Sequence, residues 1–361
     1  MGPLREAAHI AFPAILPMLT AMPHPPVLSP SLTEKLATLG ARLGRVRQDQ
    51  ELAIVLDELS RLPASSIVRA AREIEVAARL GWWQRPEASP PKTGQELMKD
   101  NPAYAWLFLF HPNGYRREAA LEAIHTPPAS AFFLAALAWR LNDWVPSVRQ
   151  AAVRCAARVL QDAATEIAAD GAIYLLDRRV VWGRWRDEAS ILDGLFARSD
   201  VMAAVALHLQ ERPTGPLASR LRHALRYASI DGHLLLLATT AKQPSVRAIA
   251  YQSLITGRAA WVAGFEQVWI DKVFNKRRRV PRFETREIQR PRAVADLIRQ
   301  AASDKSAAVR KVAADGLIAM RSKLDNADEL IARFASDESP AVRSRADYLL
   351  RHPAWPQMEQ E

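Results

Sequence analysis

A short sequence motif, which we call the phrase, occurs four times along the chain and restricts the possible folds more than any other feature. It reads DWVPSVRQAA at 143–152 and QPSVRAIA at 243–250, and it returns as DKSAAVRKVA at 304–313 and DESPAVRSRA at 337–346. In every copy valine precedes the arginine, and alanine follows the arginine by three residues. A phrase that recurs with the same internal spacing indicates one supersecondary unit used several times in a repeat array.

Each copy of the phrase is typical of the start of a helix. Three of the four copies carry proline three residues before the arginine, in the first helical turn, where its missing N–H is not needed. Valine and alanine then fall four apart and leucine follows one turn later, as with Val246, Ala250 and Leu254. This spacing favours amphipathic helices that approach closely at the small alanines. It predicts a nearly pure helical fold of stacked helix pairs with no sheet.

The phrase resembles the HEAT-repeat family, and the resemblance covers roughly residues 101–361. It implies an all-α fold, a right-handed superhelical solenoid of antiparallel helix pairs. In that family the turn aspartate and the helix arginine form a ladder of hydrogen bonds and ion pairs between repeats. The resemblance thus implies a structural role for the ladder residues Asp143, Arg149, Arg247, Asp304, Arg310, Asp337 and Arg343. Ala241 stands where aspartate is expected, which predicts an interruption of the ladder there.

Residues 1–100 lack the phrase and are interpreted as an N-terminal helical cap of the array. Amphipathic helices are predicted at 32–43, 50–62 and 66–80, followed by a loop at 81–101. Residues 101–361 are interpreted as the repeat array, with a basic insertion at about 257–292. Between 150 and 240 the repeats are degenerate and their number stays open, with second helices predicted at 182–196 and 217–228.

The basic insertion is the strongest departure from the repeat pattern. Between 271 and 292 nine basic residues stand against three acidic ones, a net of +6 out of the chain's +10. The candidate anion-binding or nucleic-acid-binding residues are Lys272, Lys276, Arg277, Arg278, Arg279, Arg282, Arg286, Arg290 and Arg292. Phe274 and Phe283 are interleaved with them, a composition that suits phosphates and bases. A solvated loop that pairs with acidic neighbours is the alternative. The segment is predicted to be extended, exposed and poorly ordered at its tip.

Candidate catalytic or metal-binding residues are sparse in the rest of the sequence. Trp139 and Asp143 lie four apart and resemble, in residue type and spacing, the aromatic residue and carboxylate of a HEAT-like DNA glycosylase site. Asp143 also occupies the turn position of the repeat, so the pair is not predicted to form an active site. The single cysteine, Cys155, has the apolar neighbours of a core residue. The histidines have no metal-ligand spacing, and no phosphate-binding loop or dinucleotide fingerprint occurs. No catalytic residue, metal or cofactor is predicted.

These patterns favour a non-enzymatic binding scaffold that engages a macromolecular partner through the surface of the solenoid. The alternative is a nucleic-acid-binding HEAT protein that uses the basic insertion, and the third hypothesis is the glycosylase. A protein partner is favoured over nucleic acid, and the oligomeric state stays open. No apolar stretch is long enough to span a membrane, and Pro13 and Pro17 interrupt the apolar run at 7–22, so a cytoplasmic location is expected.

Overall fold

A computed structural model of the chain describes residues 25–80, 92–185, 187–321, 324 and 327–352. These residues form a mainly helical body and one two-stranded β-sheet. The mainly helical fold is therefore confirmed, whereas the expectation of no sheet is wrong. The apolar run at 7–22 lies outside the described residues.

The N-terminal region contains four helices: α1 (Pro30–Arg42), α2 (Asp49–Ser60), α3 (Ile67–Ala77) and α4 (Gly94–Asp100). The first three confirm the predicted helices. The predicted loop at 81–101 is wrong over its last part, because Thr93 and Glu96 form a capping box. The Thr93 hydroxyl accepts from the Glu96 N–H, and the Glu96 carboxylate accepts from the Thr93 N–H. Residues 81–91 of that loop lie outside the described residues.

The rest of the body is a succession of further helices, from 4 to 14 residues long. They are α5 (Tyr104–Phe108), α6 (Gly114–Ala123), α7 (Ala131–Leu141), α8 (Pro146–Val159), α9 (Thr165–Leu175), α10 (Arg178–Val181), α11 (Ile191–Phe196), α12 (Ser199–Glu211), α13 (Leu217–Ala224), α14 (Leu234–Thr240), α15 (Pro244–Thr256), α16 (Val294–Ala302), α17 (Ala307–Met320), α18 (Ala327–Ala335) and α19 (Pro340–Arg351). Short 3₁₀ turns occur at Ala64–Ser66, Glu188–Ser190 and Ala228–His233.

The helices that begin with the repeated phrase are α8, α15, α17 and α19. α17 packs against both α15 and α19, and each of these three also packs against the helix that precedes it in the chain. The apolar positions of the phrase form the contact surface, since Val309, Ala313 and Leu317 are fully buried. Gly316 permits a close approach, because a Cβ there would lie 2.7 Å from Cγ2 of Ile255. At the other end, α2 and α3 pack against α7 and attach the N-terminal helices to the body.

The helix predicted at 182–196 is wrong in its first half. α10 ends at Val181, and helix resumes only through the 3₁₀ turn that leads into α11. Trp182 packs edge-on against Trp139, with ring centroids 5.0 Å apart, and the Arg184 N–H donates to the side chain of Asn142 at 2.9 Å. These tertiary contacts replace the local helical bonds. The helix predicted at 217–228 is confirmed as α13, which is shorter than expected.

The basic insertion folds as an antiparallel hairpin of β1 (Arg258–Asp271) and β2 (Lys276–Glu287). Gly257, at φ 70°, ends α15 in the left-handed conformation and turns the chain into β1. The tip is a defined turn: Asp271 Oδ1 accepts from the N–H groups of Val273 and Phe274, and Asn275 adopts φ 51°. The extended and exposed backbone expected for this segment is therefore confirmed and is paired as two strands, whereas the poor order expected at its tip stays a prediction.

Candidate binding surface

The base of the hairpin is fixed to the helical body by two of the predicted anion-binding arginines. Arg286 holds the Asp231 carboxylate with two N–H groups, at 2.7 and 2.6 Å, and donates to the carbonyls of Leu225 and Tyr227. Arg290 donates to the carbonyl of Leu254 at 3.0 Å, at the C-terminal end of α15. Both guanidinium groups are thus engaged in holding the hairpin to α13 and α15.

The pairing register divides the distal part of the hairpin into two faces. Directly opposed residues point to the same side of an antiparallel pair, and successive residues alternate. Gln267 opposes Arg279 and Trp269 opposes Arg277, while Phe265 opposes Pro281. We call this side the arginine–aromatic face, and it consists of Phe265, Gln267, Trp269, Arg277, Arg279, Pro281 and, beyond a bulge, Phe283.

On the arginine–aromatic face each arginine near the tip lies on an aromatic ring. The Arg277 guanidinium carbon is 3.9 Å from the centroid of the Trp269 ring, and that of Arg279 is 4.0 Å from the centroid of Phe265. The rings remain 41% and 43% exposed, and Phe283 is 48% exposed. Such cation–π contacts fix the planes of the guanidinium groups while their N–H edges stay in solvent.

The opposite side, which we call the basic face, carries Lys276, Arg278, Arg282, Glu266 and Val268. Arg282 lies 3.8 Å from Glu284, and both side chains are about half exposed. Lys272 stands in the exposed turn, and Arg292 is exposed after the hairpin. Eight of the nine predicted basic residues are therefore exposed, and seven of these, all except Arg290, take no part in anchoring the hairpin.

The predicted ladder residues are brought together at the turns of the body. Arg247 holds the Asp304 carboxylate at 2.8 and 2.9 Å, and Arg310 holds that of Asp337 at 2.6 and 2.9 Å. Each arginine thus reaches the aspartate of the next copy of the phrase. Arg310 also donates to the Asp304 carbonyl at 3.1 Å, and Arg343 to that of Asp337 at 2.7 Å.

These contacts set the charge state of the turn carboxylates. The hydrogen bonds from Arg310 hold the pKa of Asp337 below its usual value. Burial alone would raise the pKa of Asp304, but the hydrogen bonds from Arg247 and from the Ser306 N–H outweigh it, and this pKa is also lowered. Both aspartates are therefore stabilised as anions. Ala241 offers no carboxylate and contributes only its carbonyl, which accepts from Arg247 at 2.8 Å.

Asp143 is enclosed by donors that the sequence analysis did not identify. Arg117 holds both carboxylate oxygens at 2.8 Å, Arg140 donates at 2.8 Å and the Val145 N–H at 3.0 Å. Burial lowers the pKa of Arg140 to about 10. Arg149, the ladder arginine of this copy, bonds to Glu188 at 2.9 Å and to the Asp143 carbonyl at 3.0 Å. The first arginine–aspartate pair therefore involves Arg117, which lies in a degenerate copy of the phrase at 115–121 and was not among the predicted ladder residues.

This enclosure bears on the base-excision hypothesis. A groove of about 570 Å³ next to Asp143 is lined by Trp139, Asn142, Trp144 and Arg184, among others. The Asp143 oxygens already accept four hydrogen bonds, two of them from Arg117, and Trp139 packs on Trp182. A carboxylate held in this way would have to break hydrogen bonds to arginine before it could pair with a cationic base.

The remaining candidates for chemistry lie inside the body. Cys155 is fully buried, and burial raises the pKa of its thiol to about 12, which keeps it protonated at neutral pH. Among the described residues, no three His, Cys, Asp or Glu side chains lie together in a way that could hold a metal ion. Within the same residues no helix is long and apolar enough to cross a membrane.

The residues that β1 contributes to the arginine–aromatic face were not predicted from the sequence. The basic run drew attention to β2, whereas Phe265, Gln267 and Trp269 belong to β1, which was included in the insertion but not interpreted. The available signal was the richness of 261–270 in aromatic and β-branched residues, followed by a polar turn and the basic run.

Comparison of the chain with protein-family models, curated proteins and solved structures gives no significant match.

Proposed function

We propose that this protein is a non-enzymatic binding scaffold, a HEAT-like solenoid that holds a macromolecular partner and presents the hairpin to it. In this proposal the body is a right-handed superhelix of antiparallel helix pairs, with residues 1–100 as the N-terminal cap and 101–361 as the array. Its support is the repeated phrase, the successive packing of α15, α17 and α19, and the bonding of each turn arginine to the next turn aspartate. The single cysteine excludes an internal disulfide and favours the cytoplasm.

The observation that carries the binding function is the exposure of cationic and aromatic side chains on the hairpin. Lys276, Arg277, Arg278 and Arg279 follow one another on β2, and their side chains make no hydrogen bond to any described residue. A net positive surface of this kind attracts an anionic partner. Half-exposed aromatic rings beside arginines are the residue types that dominate binding energy at interfaces.

Nucleic acid is the second candidate partner, and the arginine–aromatic face favours it. Guanidinium groups bind phosphates with two parallel hydrogen bonds, and aromatic rings stack on bases. An acidic protein surface also satisfies the charges and can cover the rings, but it offers no bases for the rings to stack on.

The test is a variant that lacks the distal hairpin. Replacing residues 263–282 by Asn-Gly connects the paired residues Val262 and Phe283 through a two-residue turn, and it keeps the strand pairing at the base of the hairpin and the Arg286–Asp231 anchor. We expect the variant to retain the helical circular dichroism and melting temperature of the full chain and to lose binding to duplex DNA, single-stranded RNA and polyglutamate at about 50 mM salt. Unchanged binding to these polyanions by the folded variant would refute the hairpin as the binding element.

A further inference from the structure

The distal hairpin contains a regular segment bounded by two bulges. Pairing is irregular between Val262 and Gly264 and again between Trp269 and Asp271, and the six residue pairs between these positions are in continuous register. Six residues of antiparallel strand span about 20 Å, the rise of about six base pairs of duplex DNA. The bulges increase the twist of a two-stranded ribbon, which already twists strongly.

The two faces of this segment carry different chemistry. On the arginine–aromatic face Gln267 and Arg279 form the central pair, with Trp269 and Arg277 toward the tip and Phe265 toward the base. Arginine recognises guanine O6 and N7 with two hydrogen bonds, glutamine recognises adenine N6 and N7, and phenylalanine contacts the thymine methyl group. The basic face carries Lys276, Arg278 and Arg282, which suit phosphates.

The geometry of the free hairpin reduces the cost of reading base edges. Arg277 and Arg279 are already oriented by Trp269 and Phe265, at 3.9 and 4.0 Å, so less side-chain entropy is lost when their N–H edges meet an acceptor. No acidic side chain lies on this face between Phe265 and Trp269, since Glu266 points to the basic face. The face is therefore compatible with a surface rich in acceptors.

We infer that the regular segment of the hairpin enters the major groove of B-form duplex DNA, with the arginine–aromatic face toward the bases. The inference rests on the proposed function, binding of an anionic partner through the hairpin. A two-stranded ribbon fits the major groove of B-form DNA, which is about 12 Å wide. In the groove the arginine–aromatic face would contact the base edges, and the side chains of the basic face would contact the phosphates that flank the groove on two sides.

Duplex RNA, a single strand or an acidic protein would engage fewer of the side chains of the two faces than duplex DNA. Duplex RNA has a deep, narrow major groove that side chains do not read. A single strand stacked on the arginine–aromatic face leaves Arg278 and Arg282 without a role, and its bases would compete with the guanidinium groups for Trp269 and Phe265. An acidic protein partner would have no bases for Gln267 and the oriented arginines to read.

The test uses the full chain and a probe obtained by selection from a random 20-base-pair duplex pool. Affinity is then measured for the selected duplex, the same sequence as duplex RNA, each single DNA strand, and the duplex with guanine replaced by 7-deazaguanine, which lacks the N7 acceptor. Two double variants remove equal charge from opposite faces: R277A/R279A from the arginine–aromatic face and R278A/R282A from the basic face.

We expect a recognised sequence to emerge, and DNA duplex to bind at least about tenfold more tightly than RNA duplex or single strands. The 7-deaza substitution should weaken binding by the wild type roughly tenfold for each guanine N7 that an arginine recognises. R277A/R279A should abolish this sensitivity, whereas R278A/R282A should bind more weakly and keep it.

The inference is overturned if selection yields no preferred sequence, if duplex RNA or a single strand binds equally well, or if 7-deazaguanine has no effect. In those cases binding through the hairpin, and with it the proposed function, would still stand. Absence of binding to every polyanion by the full chain would overturn both.

Discussion

In the helical body, Arg117, Arg247 and Arg310 each hold a carboxylate with two N–H groups, whereas in the hairpin Arg277 and Arg279 lie on aromatic rings. The body arginines also bond to carbonyls of their own turns, so their donors are satisfied within the fold. The hairpin guanidinium groups keep their N–H edges in solvent. The same residue type therefore stabilises turns in one region and is exposed to solvent in the other.

The largest difference between the two regions should appear when a carboxylate is removed. Asp143→Ala leaves Arg117 and Arg140 buried without their counter-ion, which typically costs about 3–5 kcal/mol in the free energy of unfolding. Asp271→Ala, the matched control in the exposed hairpin turn, should cost less than about 1 kcal/mol. Urea denaturation followed by circular dichroism measures both, and equal losses would contradict the comparison.

A second difference between the two regions concerns their contribution to the loss of stability at low pH. His111 is buried in the body, and burial, with the nearby Arg116 and Arg117, lowers its pKa to about 4. As pH falls below about 6.5 the unfolded chain takes up this proton first, so stability is complete above that pH and is lost between about 6.5 and 4. The loss should reach about 3 kcal/mol and should be reduced in His111→Gln.

The hairpin supplies the control for this pH dependence. Arginine does not titrate in this range, so R277A/R279A should show the same loss of stability with acid as wild type. Unfolding free energies at pH 7, 6, 5 and 4 decide the matter. A His111→Gln variant with the full wild-type acid sensitivity would show that His111 is not the group responsible.

A smaller effect is expected for the coupling between paired residues. In a double-mutant cycle, Arg310→Ala and Asp337→Ala should show a coupling of about 1–3 kcal/mol, because the pair is largely buried and joined by two hydrogen bonds. Arg277 and Trp269, exposed on the hairpin, should couple by no more than about 1 kcal/mol. A coupling near zero for Arg310 and Asp337 would show that the interaction between them does not stabilise the fold.

The smallest effect on stability is expected from the hairpin arginines themselves. R277A/R279A should change the melting temperature little, because the substitutions affect only exposed cation–π contacts. A fall of more than about 2 kcal/mol in unfolding free energy would show that these arginines support the fold, and that their exposure is not reserved for a partner.

The helical body was largely predictable from the sequence because its signal is local and repeated. The phrase fixes a proline or serine at the helix start and a valine–alanine–leucine stripe, and α8, α15, α17 and α19 begin where the phrase stands. The capping residues Thr93 and Glu96 were equally local but had no repeat to draw attention to them.

Other features depend on contacts distant in sequence and could not be predicted in the same way. Arg286 and Asp231 are 55 residues apart, and no spacing rule identifies this pair. Arg117 and Asp143 are 26 apart, close to the 27 that separate Arg310 from Asp337, but arginine replaces the valine before Arg117, so the repeated phrase is incomplete there. Trp182 leaves the helical conformation to pack on Trp139, which overrides local propensity. The basic residues of the candidate surface were predicted from the sequence. The face that Arg277 and Arg279 share with Phe265 and Trp269 was not predicted, because it follows from the pairing register of the strands.

The central claim, that the hairpin arginines are held free for an anionic partner, is tested most directly by the salt dependence of binding. Affinity for a 20-base-pair DNA duplex is measured from about 50 to 300 mM salt for wild type, for R277A/R278A/R279A, and for R42A/R72A/R333A, which removes three exposed arginines of the body. Each phosphate contact contributes about −0.9 to the slope of log K against log salt. The account predicts that the hairpin variant flattens the slope by up to about three units while the body variant keeps it. An equal slope for wild type and the hairpin variant, or no binding at about 50 mM salt, would contradict it.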